Sequence, residues 1–138
     1  MLVAIRIAGQ VGLERKVSET LYRMRLRRKY AAVLLAPSEQ NKKLLQKVRN
    51  FVAYGELDDA TLLELVKARG MPKEKASKLS EKDVEKIKKQ GLASVGLKEF
   101  FRLHPPRKGI DSKKHFGVGK GVLGDNKDKI NELVRRML

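Results

Sequence analysis

Hydrophobic positions recur first with a period of two and then with a period near that of a helix. Leu2 to Ala8 is rich in β-branched residues, with Val3, Ile5 and Ile7 on one face and Arg6 on the other, which predicts a first strand. Gly9 and Gly12 punctuate the turn after it. Val17, Leu21 and Met24 return at helical spacing and predict a helix over about 14–25. Tyr30 to Ala36 reads YAAVLLA, too short for a long helix and stopped by Pro37, so it is expected to be a second strand. Ser38 is a good N-cap, and Leu44, Leu45 and Val48 give the next helix an apolar face. A short third strand is expected at about 50–55, NFVAYG. The order β-α-β-α-β predicts an α+β sandwich, with helices over one sheet face and the other face, or the loops, left for a partner.

From Asp58 the pattern turns helical. Asp58 or Asp59 can cap a helix whose apolar face is Leu62, Leu65 and Val66, with Gly70 and Pro72 as its stop. Ser80 opens another helix, Asp83 stands at the capping-box position, and Gly91 ends it. A short helix is expected at about 97–103, carrying Leu97, Phe100, Phe101 and Leu103. His104 to Gly124 then loses all apolar periodicity, holds seven Gly or Pro residues, and reads as a long loop. Asp125 caps a last helix with Ile130, Leu133, Val134 and Met137 on its inner face. The expected division is an α+β core over 1–56 and a mainly helical extension over 57–138 that contains the basic loop 104–124. No repeat with a period of 20–50 residues is visible.

Charge changes this picture from a fold to a partner. The 138 residues carry 32 basic and 16 acidic side chains, a net charge of +16. A small domain that repels itself this strongly is expected to face a polyanion, most often nucleic acid. The excess is uneven: net +8 over 1–56, +3 over 57–103 and +5 over 104–138. Aromatic residues make up only 5%, which argues against a multi-ring platform for single strands. The absence of cysteine excludes disulfides, thiolate zinc sites and a cysteine nucleophile. No apolar run is long enough to span a membrane, and the start MLVAIRIAG lacks a signal-peptide pattern, so an intracellular protein is expected.

Two segments concentrate the candidate chemistry. Arg23, Arg25, Arg27, Arg28 and Lys29 place five cations in seven residues at the predicted end of the first helix. A helix dipole explains one or two of these, and phosphate binding by planar guanidinium forks explains the set. In the loop, Arg107, Lys108, Lys113, Lys114 and Lys120 lie among glycines that let a backbone approach phosphates, a pattern suited to a loop that orders on RNA. His115 joins them as a candidate RNA contact. With lysines beside it, it makes a poor metal ligand, and no metal or other cofactor is expected. Gly117-Val-Gly119-Lys120-Gly121 is no P-loop: Gly121 stands where a hydroxyl is needed, and no strand is expected before it. Gly121 to Gly124 encloses Val122 and Leu123, so it is no basic Gly-x-x-Gly clamp either. No Ser-His-Asp set or carboxylate pair points to an enzyme.

The first 56 residues also carry a family resemblance. The opening strand, the turn Gly9 to Gly12 and the helix end Leu21-Tyr-Arg-Met24-Arg-Leu26-Arg27 resemble the large-subunit ribosomal protein L-thirty family, whose helix ends Leu-x-x-Leu-x-Leu-Arg. Met24 takes one apolar position of that motif. The apolar second strand and VRNFVAYGEL fit as well, and ELVKARG and INELVRRM resemble the longer archaeal form and its eukaryotic counterpart L-seven. With no long basic arm before Met1, the archaeal form fits best. The resemblance covers essentially the whole chain. It implies a three-stranded antiparallel, ferredoxin-like sheet and a place in the large ribosomal subunit in the cytoplasm. The implied partners are large-subunit rRNA, contacts towards the 5S rRNA region and neighbouring ribosomal proteins. A free nucleic-acid-binding regulator is the competing reading, but the near-neutral helix from Asp58 lacks base-reading residues. An RNA-modifying enzyme would need a cofactor loop or an acid–base set, and neither is visible.

Overall fold

A computed structural model describes residues 2–9, 14–36, 38–69, 100–107, 109–115, 117 and 121–138. The helix expected from Ser80, the stop signals Gly70, Pro72 and Gly91, and the Gly12 half of the first turn lie outside these residues.

β1 spans Leu2–Arg6, α1 Arg15–Arg23, β2 Ala31–Leu35, α2 Glu39–Lys47 and β3 Val52–Glu56. These follow the predicted order within a few residues. All five residues of β1 are buried, because it lies between β2 and β3 and is covered on both faces. Leu2 stands opposite Leu35 on one side and Glu56 on the other, both neighbours antiparallel. This is the expected three-stranded antiparallel centre of an α+β fold. The sheet continues beyond it to six strands in the order β4-β2-β1-β3-β6-β5. β4 (Phe101–Arg102) pairs antiparallel with β2, and β6 (Gly121–Asp125) pairs parallel with β3, so the orientation is mixed. β5 (Asp111–His115) pairs with β6, with Asp111 opposite Gly121 and His115 opposite Leu123.

Two sequence expectations are corrected here. Phe101 and Arg102 form a strand, where a helix over about 97–103 was expected. Phe101 is buried, Arg102 exposed and Leu103 buried, a period of two that the neighbouring apolar residues disguised. The stretch 104–124 is likewise no continuous loop, since it contains β5 and most of β6.

Helices cover both faces of the sheet, where one was expected. Leu2, Ala4, Val33 and Val52 pack with Leu21 and Met24 at the end of α1 and with Leu45 of α2. Val3, Ile5, Ala32 and Ala53 pack with Leu62, Leu65 and Val66 of α3 (Asp59–Arg69) and with α4 (Ile130–Met137). Adjacent strand residues enter opposite clusters, as the pleat requires. α4 buries Ile130, Leu133, Val134 and Met137, the face its sequence predicted. Asp58 caps α3 by accepting from the Thr61 N–H at 2.7 Å, and Ser38 caps α2 through the Asn41 N–H at 3.3 Å. Asp125, expected as the cap of α4, instead accepts from the Lys127 N–H at 2.9 Å and starts a 3-10 turn, Lys127–Lys129, that leads into the helix. A Cβ at Gly55 would collide with the Lys127 carbonyl and Ile130, so a glycine lets this turn sit directly on β3. A partner must therefore use edges, turns and helix surfaces.

Candidate nucleic-acid interface

α1 ends in a left-handed turn. Arg25 has φ +66°, its N–H donates to the Tyr22 carbonyl at 3.0 Å, and the Leu26 N–H donates to the Leu21 carbonyl at 2.9 Å. This pair of bonds is a Schellman motif, usually built on glycine. Leu21 and Leu26 are both buried in the same cluster and supply the apolar contact that accompanies it. Met24 and Leu26 thus anchor the turn inward while Arg25, Arg27, Arg28 and Lys29 are exposed. The sequence MRLRRK alternates anchors and cations for this reason.

Arg6 fixes the turn from beneath. It is only 3% exposed, although a charged residue rarely sits so deep. Its Nη1 donates to the Leu26 carbonyl at 2.7 Å, its Nε to Ala8 at 3.0 Å and its Nη2 to Gly9 at 3.2 Å. Burial lowers its pKa from the ordinary arginine value, but a guanidinium stays protonated in proteins. The Arg6 carbonyl also accepts from the Tyr30 N–H at 2.6 Å. One residue therefore holds both ends of the turn 26–30. The Tyr30 carbonyl then accepts from the Leu103 N–H at 3.0 Å, which joins the turn to β4.

That junction brings in residues distant in sequence. Arg25, Arg27, Arg28 and Lys29 line a cleft of about 440 Å³ together with Phe100, Arg102 and Leu103. On its other side, Arg27 and Arg28 share a second cleft of about 450 Å³ with Arg6, Ser18 and Tyr22. The Arg27 guanidinium lies 4.2 Å from the Tyr22 ring centre, and that of Arg102 5.8 Å from Phe100. Arg23 is exposed on the last turn of α1. The first predicted segment is thus brought together, enlarged by Arg102 and two rings. Sequence reading missed Arg102 and Phe100 because it assigned them to a helix, and Tyr22 because the low aromatic content counted rings rather than their placement. It placed Arg6 on the strand face opposite Val3, Ile5 and Ile7 and expected helices on only one sheet face, whereas both are covered.

The second predicted segment is only partly described. Lys108 and Lys120, with the rest of Gly117-Val-Gly-Lys-Gly apart from its two end glycines, lie outside the described residues. Arg107 is exposed in a turn closed by the Gly109 N–H on the Pro106 carbonyl at 3.2 Å. Arg136, near the end of α4, holds that turn by donating to the carbonyls of Arg107, at 2.7 and 2.8 Å, and of Gly109. The Arg107 N–H returns a bond to the Arg136 carbonyl at 3.1 Å. Lys113 lies on β5, and Lys114 and His115 are exposed there. β5 is the opposite edge of the sheet from β4 and the arginine turn, with β1, β3 and β6 between β2 and β5. The structure therefore keeps Lys113, Lys114 and His115 apart from the arginine turn. Among the described residues, no three His, Asp or Glu side chains converge as metal ligands would. No described helix is long and apolar enough to cross a membrane.

Comparison with known proteins gives this arrangement a family. No family model matches the chain. Curated relatives match it almost end to end. The large ribosomal subunit protein uL30 of Methanococcus maripaludis is 34% identical, with 97% of each chain covered. That of Archaeoglobus fulgidus is 35% identical with 99% of each covered, and that of Nanoarchaeum equitans 33% with 96%. The alignments span both basic segments and the helical piece between them, so the likeness is not confined to the first 56 residues. The chain belongs to the archaeal uL30 family of large ribosomal subunit proteins.

Proposed function

We propose that this protein is a structural, non-enzymatic constituent of the large ribosomal subunit and binds its rRNA through the arginine turn. The observation that carries the proposal is the set of five cations, Arg25, Arg27, Arg28, Lys29 and Arg102, lining one cleft on a turn fixed by buried bonds. A guanidinium held on a rigid backbone loses little entropy when it meets a phosphate, and its fork donates to two phosphate oxygens at once. Arg23 extends the same surface along α1. At the far edge of the sheet, Lys113, Lys114 and His115 form a second contact to rRNA, to which Arg107, Lys108 and Lys120 add their charges. Two contact regions on opposite edges let a rigid domain wedge between separate RNA helices. Neighbouring ribosomal proteins, the 5S rRNA region and a cytoplasmic location complete the proposal, as the family membership suggests.

The test is equilibrium binding of the full-length protein to a large-subunit rRNA transcript across a range of salt. Each phosphate contact removed lowers the slope of log affinity against log salt by about 0.7–0.9. Replacing Arg27, Arg28 and Arg102 together by alanine is expected to lower it by about 2. Replacing Lys113 and Lys114 is expected to lower it by about 1.5. Unchanged affinity and slope in both variants would contradict the proposal.

A further inference from the structure

The two clefts beside the arginine turn have an arrangement that phosphate binding alone does not require. Arg27 and Arg28 line both, so they form a ridge between them. Each cleft has one aromatic ring in its wall, Tyr22 on one side of the ridge and Phe100 on the other. Tyr22 is 59% exposed, the one large apolar side chain so exposed among the described residues. Its ring carries the Arg27 guanidinium at 4.2 Å from its centre. Phe100 is half-buried against the core and flanked by Arg102. Each cleft, at about 440 and 450 Å³, is within the range of sites that enclose small ligands, roughly 300–1,000 Å³.

We infer that this ridge binds an unpaired stretch of RNA, with a phosphodiester across Arg28 and one base in each cleft against Tyr22 and Phe100. The inference rests on the rRNA-binding proposal and adds which kind of RNA the turn selects. A paired helix presents phosphates but keeps its bases stacked inside, so it could use the ridge and not the rings. An unpaired segment offers both, and stacking on an aromatic ring tolerates any base. The Arg27 guanidinium lies over one face of the Tyr22 ring, which leaves the other face for a base. The low aromatic content is no objection, because two rings placed on either side of a cationic ridge suffice for two bases.

The experiment compares two RNA hairpins, identical except for a two-nucleotide unpaired bulge, binding to the full-length protein at several salt concentrations. The wild type is expected to bind the bulged hairpin about 10-fold or more tighter than the paired one, as one or two stacked bases would give. Tyr22→Leu is expected to lose most of that preference while keeping the salt slope. Tyr22→Phe is expected to retain the preference, since the ring and not the hydroxyl does the stacking. Tyr22 is exposed, so these variants are expected to fold, and unchanged unfolding midpoints would check it. A steep salt slope with equal affinity for both hairpins would overturn the stacking inference and leave the phosphate-binding proposal standing. Weak binding to both with no salt dependence would overturn the two together. Loss of preference in both Tyr22→Leu and Tyr22→Phe would also overturn it, because a ring would then not account for the selectivity.

Discussion

In the turn 24–30 a buried arginine holds the backbone while other arginines are exposed above it. In the arc 104–110 the same task falls to Arg136, a half-exposed residue at the end of a helix. Both clamps use a guanidinium fork to gather backbone carbonyls from a chain segment that makes no ladder of its own. They differ in depth. Arg6 sits under two covering helices, and its bond to the Leu26 carbonyl is buried, while those to Ala8 and Gly9 lie nearer the surface. Arg136 and its partners border solvent, so water can replace what the clamp supplies. The comparison shows that some cations of a basic protein are engaged in holding its own chain. A net charge of +16 is therefore not a count of RNA contacts.

The difference in depth sets the largest expected effect. Arg6→Leu leaves three carbonyls without their donors and is expected to cost ~3 kcal/mol or more of stability. Denaturant unfolding measures it, and hydrogen exchange at Leu26 and Tyr30 should rise with it. A cost below ~1 kcal/mol would mean that Arg6 does not carry the turn. Arg136→Gln is expected to cost less, ~1 kcal/mol, because its carbonyl partners can turn to water. Its signature is local: faster exchange of the Arg107 N–H, with Leu26 and Tyr30 unchanged. If the two variants were equally costly, depth would not distinguish the clamps.

Asp58→Ala gives a reference on neither clamp. Losing the α3 cap is expected to cost ~1 kcal/mol and to leave the salt dependence of RNA binding untouched. The smallest effect has the opposite sign. Arg25 occupies a left-handed conformation that costs an L-residue roughly 1 kcal/mol and costs glycine little. Arg25→Gly is therefore expected to raise stability by up to ~1 kcal/mol while lowering the salt slope of RNA binding by about 0.8. A variant that is more stable and binds less steeply would mark Arg25 as retained for its charge at a cost in strain. Equal stability with an unchanged slope would remove Arg25 from the interface.

Much of the fold was legible because its elements are short and locally consistent. Ser38 and Asp58 announce their helices, and the stripe Ile130, Leu133, Val134 and Met137 fixes which side of α4 faces inward. What local pattern could not show was the second cover of the sheet. Val3, Ile5 and Ile7 mark one buried face, but Leu2 and Ala4 on the other are too few to betray helices above them. The strand of Phe101 and Arg102 is two residues long, a single period of the strand alternation, and only its pairing with Ala31 and Ala32 defines it. The site followed the same logic. Arg25, Arg27, Arg28 and Lys29 are adjacent in sequence and were legible as a cluster. Arg102 and Phe100 reach them through the bond between Leu103 and Tyr30, a contact across more than seventy residues that no local pattern encodes. The role of Arg6 was not legible, because a lone cation in a strand ordinarily marks the solvent face, and its deepest bond is to the Leu26 carbonyl twenty residues away.

The central claim is that the arginine turn and β4 together face rRNA. Zero-length crosslinking in intact large subunits, mapped by mass spectrometry to both protein and RNA, tests it most directly. The account predicts that nucleotides crosslink to peptides containing Tyr22 to Lys29 and Phe100 to Arg102, with a separate set of nucleotides crosslinked to β5. Crosslinks confined to the outer lysines of α2, with the arginine turn unmodified, would contradict it.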